Sequence, residues 1–137
     1  MKTKKYIFLF ILCEIFNSCC FLKEQSLGNN FILSEYDNED RSILYSEETC
    51  SNSGISIVPM TVLEYAFDTK WIIAKSGSRY KSESLYWIVD KDFKVKILKD
   101  NDSTLNIIKS HIVGPLDSTN FYEKLNLKKI NLILKKI

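Results

Sequence analysis

The strongest indication of the fold comes from two short segments, Lys70–Lys75 (KWIIAK) and Leu85–Asp90 (LYWIVD). Each is an almost continuous run of apolar, β-branched and aromatic residues. Such runs are typical of central β-strands that are covered on both faces, or covered on one face and partly masked on the other. Residues 76–84 between them are polar and include Gly77, which readily adopts the positive φ angles of turns. The two segments are therefore predicted to form an antiparallel hairpin.

Weaker strand patterns flank this hairpin on both sides. The further predicted strands are residues 31–36, 41–46, 55–58, 94–98, 105–113 and 130–134. Residues 61–67 fit either a strand or a helical turn. The sequence therefore predicts a mainly β (α+β) single domain built as one antiparallel β meander.

One short helix is predicted near the C-terminus. The Gly114-Pro115 pair breaks the chain, and residues 116–125 then have helical character. Asp117 can cap the first turn by accepting hydrogen bonds from its free amides. Phe121 and Leu125 are four residues apart, so both would face the sheet.

The N-terminal residues have the features of an export signal. Three lysines in the first five residues precede the apolar stretch 6–13, which is too short to span a membrane. Ser18 before Cys19 resembles a lipobox, the bacterial lipoprotein signal whose cysteine receives a diacylglyceryl group and becomes residue one. Cys20 is the alternative, but it fits worse because the bulkier Cys19 would precede it. An N-terminal core helix is disfavoured by the cationic start and by the polar switch at residues 23–25.

This interpretation divides the chain into three parts: a signal peptide over 1–18, a lipidated N-terminus and tether over 19–30, and one β-rich domain over 31–137. The first part contains three lysines and Glu14, so 16 basic and 16 acidic side chains remain of the original 19 and 17. A formally neutral chain of 119 residues suits one domain and gives no basic excess for nucleic acid. The remaining thiols, Cys20 and Cys50, can pair or stay apart.

Chemistry-bearing motifs are sparse. His111 is the only histidine and lies in a predicted strand without a nucleophile motif, which favours a structural or surface role. Residues 100–104 (DNDST) resemble the start of a calcium loop, but Leu105 occupies the glycine position and His111 the final acidic one. No catalytic residue, metal site or cofactor is predicted.

Aromatic residues provide the candidate binding surface. Tyr86 and Trp87 are adjacent in a predicted strand, so their side chains point to opposite faces. One of them is either exposed as part of a binding surface or covered by a helix or loop. The candidate surface residues are Arg79, Tyr80 and Trp87.

Four motifs follow one another along the chain: LGNNF at 27–31, WIIAK at 71–75, YWIVDK at 86–91, and GPLDS at 114–118 with Phe121 after it. Together they resemble a family of small bacterial lipoproteins that carry a domain of unknown function. The resemblance implies an envelope location and supplies no catalytic residues.

The expected function is that of a lipid-anchored, non-catalytic envelope protein with a binding or protective, immunity-type role. Its expected partners are a membrane, through the N-terminal lipid, and another envelope protein. The alternatives are an envelope-located hydrolase, which would depend on His111, or an accessory subunit of an envelope complex.

Overall fold

The structure, a computed structural model, describes residues 23–36, 40–47, 54–59, 61–78, 82–93 and 102–137. Its elements in chain order are β1 (Lys23–Gly28), β2 (Phe31–Tyr36), β3 (Asp40–Tyr45), β4 (Ile55–Val58), β5 (Val62–Phe67), β6 (Trp71–Gly77), β7 (Ser84–Asp90), α1 (Asp102–Ser110), β8 (Ile112–Leu116), α2 (Ser118–Leu127) and β9 (Lys135–Lys136). The predicted signal peptide, Cys19, Cys20, Cys50 and the predicted strand 94–98 lie outside the described residues.

The strands form two antiparallel sheets, which confirms the mainly β prediction. The first sheet has the order β1-β2-β3-β4, and the second has the order β8-β7-β6-β5-β9. The predicted hairpin is the centre of the second sheet, with Trp71 opposite Asp90 and Gly77 opposite Ser84. The chain leaves the first sheet after β4 at Pro59, which cannot donate to a strand ladder. The predicted single meander is therefore divided between two sheets.

The inner core lies between the two sheets. The first sheet contributes residues such as Phe31 and Ile43, and the second contributes Ile72 and Val89, all fully buried. Burial of such side chains contributes about 1.5–3 kcal/mol each. Two stacked sheets that share one apolar layer constitute a β-sandwich.

The outer core lies on the other face of the second sheet. Ile73 and Ile88 point to this face and contact Phe121 and Leu125 of α2, together with Ile130. As predicted, Asp117 caps the helix: its carboxylate accepts a hydrogen bond from the Asn120 amide at 2.8 Å. The second sheet is thus covered on both faces, as its continuous apolar runs indicate.

The N-terminal tether was predicted wrongly, because residues 23–28 form strand β1. Only Leu27 of this strand is buried, since β1 is an edge strand and its other side chains are polar. Charged and polar residues are common on edge strands, where they discourage further pairing. A two-residue turn joins β1 to β2, and its Asn29 and Asn30 have φ angles of 51° and 65°. Positive φ at both positions is the type I′ turn that favours hairpins.

The segment 105–113 was also predicted wrongly, because most of it lies in helix α1 (Asp102–Ser110). Thr104 and Ile108 are one helical turn apart and are both buried, so the helical period determines the burial. The fold therefore has a second helix among its described residues. The break expected at Gly114-Pro115 lies within β8, where an edge position tolerates a proline.

The last predicted strand, residues 130–134, does not pair with a sheet. Ile130, Leu132 and Leu134 pack on the outer core in an extended segment. Their alternation therefore reflects burial of one face rather than a ladder. The strand pairing occurs further along, where β9 pairs with Glu64 and Tyr65 of β5. No helix in the described part of the chain is long and apolar enough to cross a membrane.

Candidate functional site at the sheet edge

Trp87 was a candidate for an exposed binding surface, and this prediction is wrong. Only 6% of Trp87 is exposed, because β7 directs its side chain into the inner core. Tyr86, on the opposite face, packs against Phe121 with the ring centroids 4.8 Å apart. The helix α2 therefore covers the second face. The other candidate surface residues, Arg79 and Tyr80, lie outside the described residues.

Two contacts fix the position of the Trp87 indole. Its Nε1 donates a buried hydrogen bond of 2.8 Å to the hydroxyl of Ser76, on the neighbouring strand β6. Gly114 of β8 lies against the ring, and a Cβ at this position would lie 2.6 Å from Trp87 Cε3. Any side chain at residue 114 would therefore displace the indole. The glycine also has a φ of 152°, which side chains rarely allow.

The fixed indole is part of an open cleft of about 480 Å³, which we call the edge cleft. It is bounded by β4, α1, β8 and the Trp87 ring, and its lining residues are Ile55, Ser56, Ile57, Pro59, Trp87, Leu105, Ile108, Lys109, Ile112 and Gly114. Ligand-binding clefts have volumes of roughly 300–1,000 Å³. The edge cleft is therefore large enough for several apolar side chains.

The lining of the edge cleft is mainly apolar. Ser56 and Lys109 are its two polar side chains. Three consecutive residues of β4, from Ile55 to Ile57, border the cleft, although adjacent strand residues point to opposite faces. The hydrogen-bonding edge of β4 therefore faces the opening. Within the described residues β4 is the last strand of its sheet.

His111 lies in the turn between α1 and β8 rather than in a strand. Its imidazole packs against the Phe93 ring, with 4.5 Å between the ring centroids. Phe93 in turn stacks on Tyr45 and meets the edge of Phe31. The histidine is thus the outer member of an aromatic cluster at one end of the inner core.

Lys91, which the sequence analysis did not single out, is the described lysine with the most unusual environment. Only 2% of the residue is exposed, and its Nζ donates to the backbone carbonyls of Leu27, at 2.6 Å, and of Asp68. Burial lowers the pKa of the ammonium, and the carboxylate of Asp68 opposes this shift. The Leu27 carbonyl belongs to β1 of the first sheet, and the Asp68 carbonyl lies in the turn between β5 and β6 of the second sheet. Lys91 therefore joins the two sheets and is inaccessible to a ligand.

A second concavity, the C-terminal groove, lies at the other edge of the second sheet. Its volume is about 510 Å³, and its lining residues are Tyr65, Ala66, Phe67, Asn131, Leu132, Ile133, Lys135, Lys136 and Ile137. Within the described residues, β9 pairs with two of the six residues of β5, and the groove lies beside this short pairing. Lysines border this groove, whereas the edge cleft has only Lys109.

The described residues contain no group of three or more His, Cys, Asp or Glu side chains that could hold a metal ion. Of the DNDST motif, Asp100 and Asn101 lie outside the described residues, and the rest begins helix α1.

The sequence could have indicated Lys91 but not the edge cleft. Lys91 directly follows the strongest strand, so a lysine at that position lies at the end of a core layer. The residues that line the edge cleft lie between positions 55 and 114 and are far apart in sequence. They come together only because the two sheets stack on each other. The chain matches no protein-family model, no curated protein and no solved structure.

Proposed function

We propose that this protein is a lipid-anchored cell-envelope protein that binds another envelope protein through the edge cleft. The observation that carries the binding role is the cleft itself, an apolar cavity of about 480 Å³ beside β4, the last strand of its sheet within the described residues. The anchor is proposed from the lipobox-like Ser18-Cys19 pair that follows a cationic, apolar leader.

A polypeptide fits this cleft better than a lipid or a small metabolite. The edge of β4 can bond to the backbone of an added extended strand. Apolar side chains of the same segment can then enter the space between Leu105, Ile112 and Trp87. A fatty acyl chain would use the apolar lining but would leave the strand edge without partners.

The position of the cleft suits a protein that is held at a membrane. Gln25 of β1 accepts a hydrogen bond of 2.6 Å from the hydroxyl of Tyr65 in β5, so the chain enters the domain beside β5. The edge cleft lies beside β8, at the opposite edge of the second sheet. A lipid on Cys19 would therefore leave the edge cleft accessible to a partner.

The anchor is tested by the intact mass of the mature protein from bacterial membranes and of a Cys19→Ala variant. A diacylglyceryl-bearing mass that begins at Cys19, and that the variant lacks, is expected. An unmodified mass would refute the anchor without affecting the cleft.

The binding role is tested by a photo-crosslinking amino acid at Ser56, on the cleft wall, in living bacteria. The matched control is the same amino acid at Ser118, an exposed serine on α2. We expect one discrete adduct with an envelope protein from position 56, which Leu105→Lys abolishes, and no such adduct from position 118. The same adducts from both positions, or an adduct that survives Leu105→Lys, would refute binding in the cleft.

A further inference from the structure

The mature chain is formally neutral, but its lysines are unevenly distributed. Residues 124–137 contain five lysines and no aspartate or glutamate. We define the cationic face as the exposed residues Lys70, Lys128, Lys129, Lys135 and Lys136. Within the described residues none of these five lysines forms an ion pair. Their charges therefore remain available to an external anion.

Two of these lysines converge on one tryptophan. The Nζ atoms of Lys70 and Lys128 lie 5.2 Å and 5.3 Å from the centroid of the half-buried Trp71 ring. Each contact is a favourable cation–π interaction that holds an ammonium group beside the indole. Tryptophan is also a residue that favours the boundary between lipid and water.

Apolar side chains are exposed among the same lysines. Leu127 is 74% exposed, Ile133 77% and Ile137 44%. Ile133 and Ile137 line the C-terminal groove, and Leu127 directly precedes Lys128. Exposed apolar groups interspersed with lysines are typical of surfaces that lie in the headgroup region of a bilayer.

The proposed lipid would be attached near this face. Tyr65 lines the C-terminal groove and donates its hydroxyl proton to Gln25 of β1. Cys19 precedes Gln25 by six residues, which span at most about 20 Å when fully extended. A diacylglyceryl group on Cys19 could therefore enter the same bilayer that the cationic face contacts.

We infer that the cationic face docks on an anionic phospholipid bilayer, with lysine ammoniums against phosphates and Leu127, Ile133 and Ile137 among the headgroups. A domain that is docked in this way has one orientation, in which the edge cleft points away from the membrane. It rests on the proposed anchor only for the position of the lipid. The attraction of lysines to anionic lipid is independent of that anchor.

The test uses fluorescence quenching of Trp71 by brominated lipid, which acts only at short range. Mature protein purified from membranes is placed in vesicles of brominated phosphatidylglycerol and phosphatidylcholine, and in vesicles of brominated phosphatidylcholine alone. Trp87 is a second, buried fluorophore that does not face the lipid. We expect quenching in the anionic vesicles only, its loss at high salt, and its absence in a Trp71→Phe variant.

A matched pair of charge reversals locates the attraction. Lys135→Glu removes a lysine of the cationic face, whereas Lys109→Glu changes an exposed lysine at the edge cleft. Loss of one lysine charge should lower the ratio of docked to undocked protein about fivefold, and its reversal should lower it further. Lys109→Glu should leave that ratio unchanged.

Three results would overturn the docking: no quenching of Trp71, equal quenching in neutral vesicles, or equal loss with Lys109→Glu. The intact mass measured on the same sample separates this failure from failure of the anchor. If the protein carries no lipid, the same vesicles are added to the unlipidated mature protein, and the same quenching criteria decide the docking.

Discussion

The two faces of the five-stranded sheet are covered in different ways. The inner face packs against a second sheet, whose residues begin near position 23 and are far away in sequence. The outer face packs against α2 and the extended segment that follows it, and most of this cover lies between residues 113 and 134. Adjacent residues of β7 therefore pack against different parts of the chain: one against the first sheet and the next against α2 and the segment that follows it.

This difference indicates which interactions make the fold cooperative. The inner core can form only when the chain brings distant strands together, and it contains the buried Lys91 and the Trp87–Ser76 hydrogen bond. The cover of the outer face comes mainly from one contiguous segment, residues 113–134, which packs on Ile73 and Ile88 of the sheet. We therefore expect disturbances of the inner face to affect the whole domain and disturbances of the outer face to remain more local.

The largest expected loss of stability follows from replacing Trp87, and the neighbouring Tyr86 provides the comparison. Trp87→Ala removes a buried indole and leaves a cavity, which should reduce the free energy of unfolding by about 3–5 kcal/mol. Tyr86→Ala should cost less, because Tyr86 is only half-buried and contacts α2 from the outer face. Urea denaturation of both variants measures the difference. Equal losses would contradict the distinction between the faces.

Lys91→Met should have the next largest effect. Methionine retains the apolar stem but cannot donate to the carbonyls of Leu27 and Asp68. A buried polar group that loses its partner costs about 1–3 kcal/mol. We expect a loss of this size by urea denaturation, whereas the exposed control Lys109→Met should be neutral. A Lys91→Met protein that is as stable as the wild type would show that the ammonium does not join the sheets.

The difference in stability between the wild type and Lys91→Met should also depend on pH. The pKa of Lys91 is lowered from 10.5 in the folded protein, so near that pH the unfolded chain binds more protons than the folded one. The stability of wild type relative to Lys91→Met should therefore be constant below the folded pKa and rise as the pH approaches 10.5. The other titrating groups are common to both proteins and cancel. A difference that falls with increasing pH would indicate that the fold prefers the charged form.

The sequence predicted the second sheet better than the first. Continuous apolar runs marked β6 and β7, and the spacing of Phe121 and Leu125 marked α2, because these elements bury side chains in a regular period. Strand β1 was missed because five of its six residues are not buried. Helix α1 was missed because its β-branched residues favour strands, whereas the tertiary contacts of Thr104 and Ile108 favour a helix. The edge cleft depends on α1 and on the stacking of the two sheets, and neither was predicted, so periodicity alone could not predict the cleft.

A smaller effect is expected at the start of α2. Asp117 accepts hydrogen bonds from both the backbone and the side-chain amide of Asn120, and these bonds lower its pKa. This contribution to stability is present above the unfolded pKa and is lost as the pH falls through the folded value. Asp117→Ala should therefore destabilise the outer layer at neutral pH and remove that part of the acid sensitivity. Asp117→Asn keeps an acceptor for the cap, so it should lose less stability while losing the pH dependence. Hydrogen exchange of the α2 amides measures both effects.

The smallest effect is expected at the other end of α2, and it is stabilising. The helix ends with two hydrogen bonds, from the Ile130 amide to the Leu125 carbonyl and from the Lys129 amide to the Asn126 carbonyl. This pattern requires a left-handed residue where glycine is usual, but the chain has Lys129 with a φ of 55°. Lys129→Gly removes that strain at some cost in entropy of the unfolded chain, for a net gain of about 0.5–1 kcal/mol. Lys129→Ala loses the same charge but keeps the strain, so it should give no gain. If both variants gained equally, charge repulsion among the lysines rather than backbone strain would limit the stability of the outer layer.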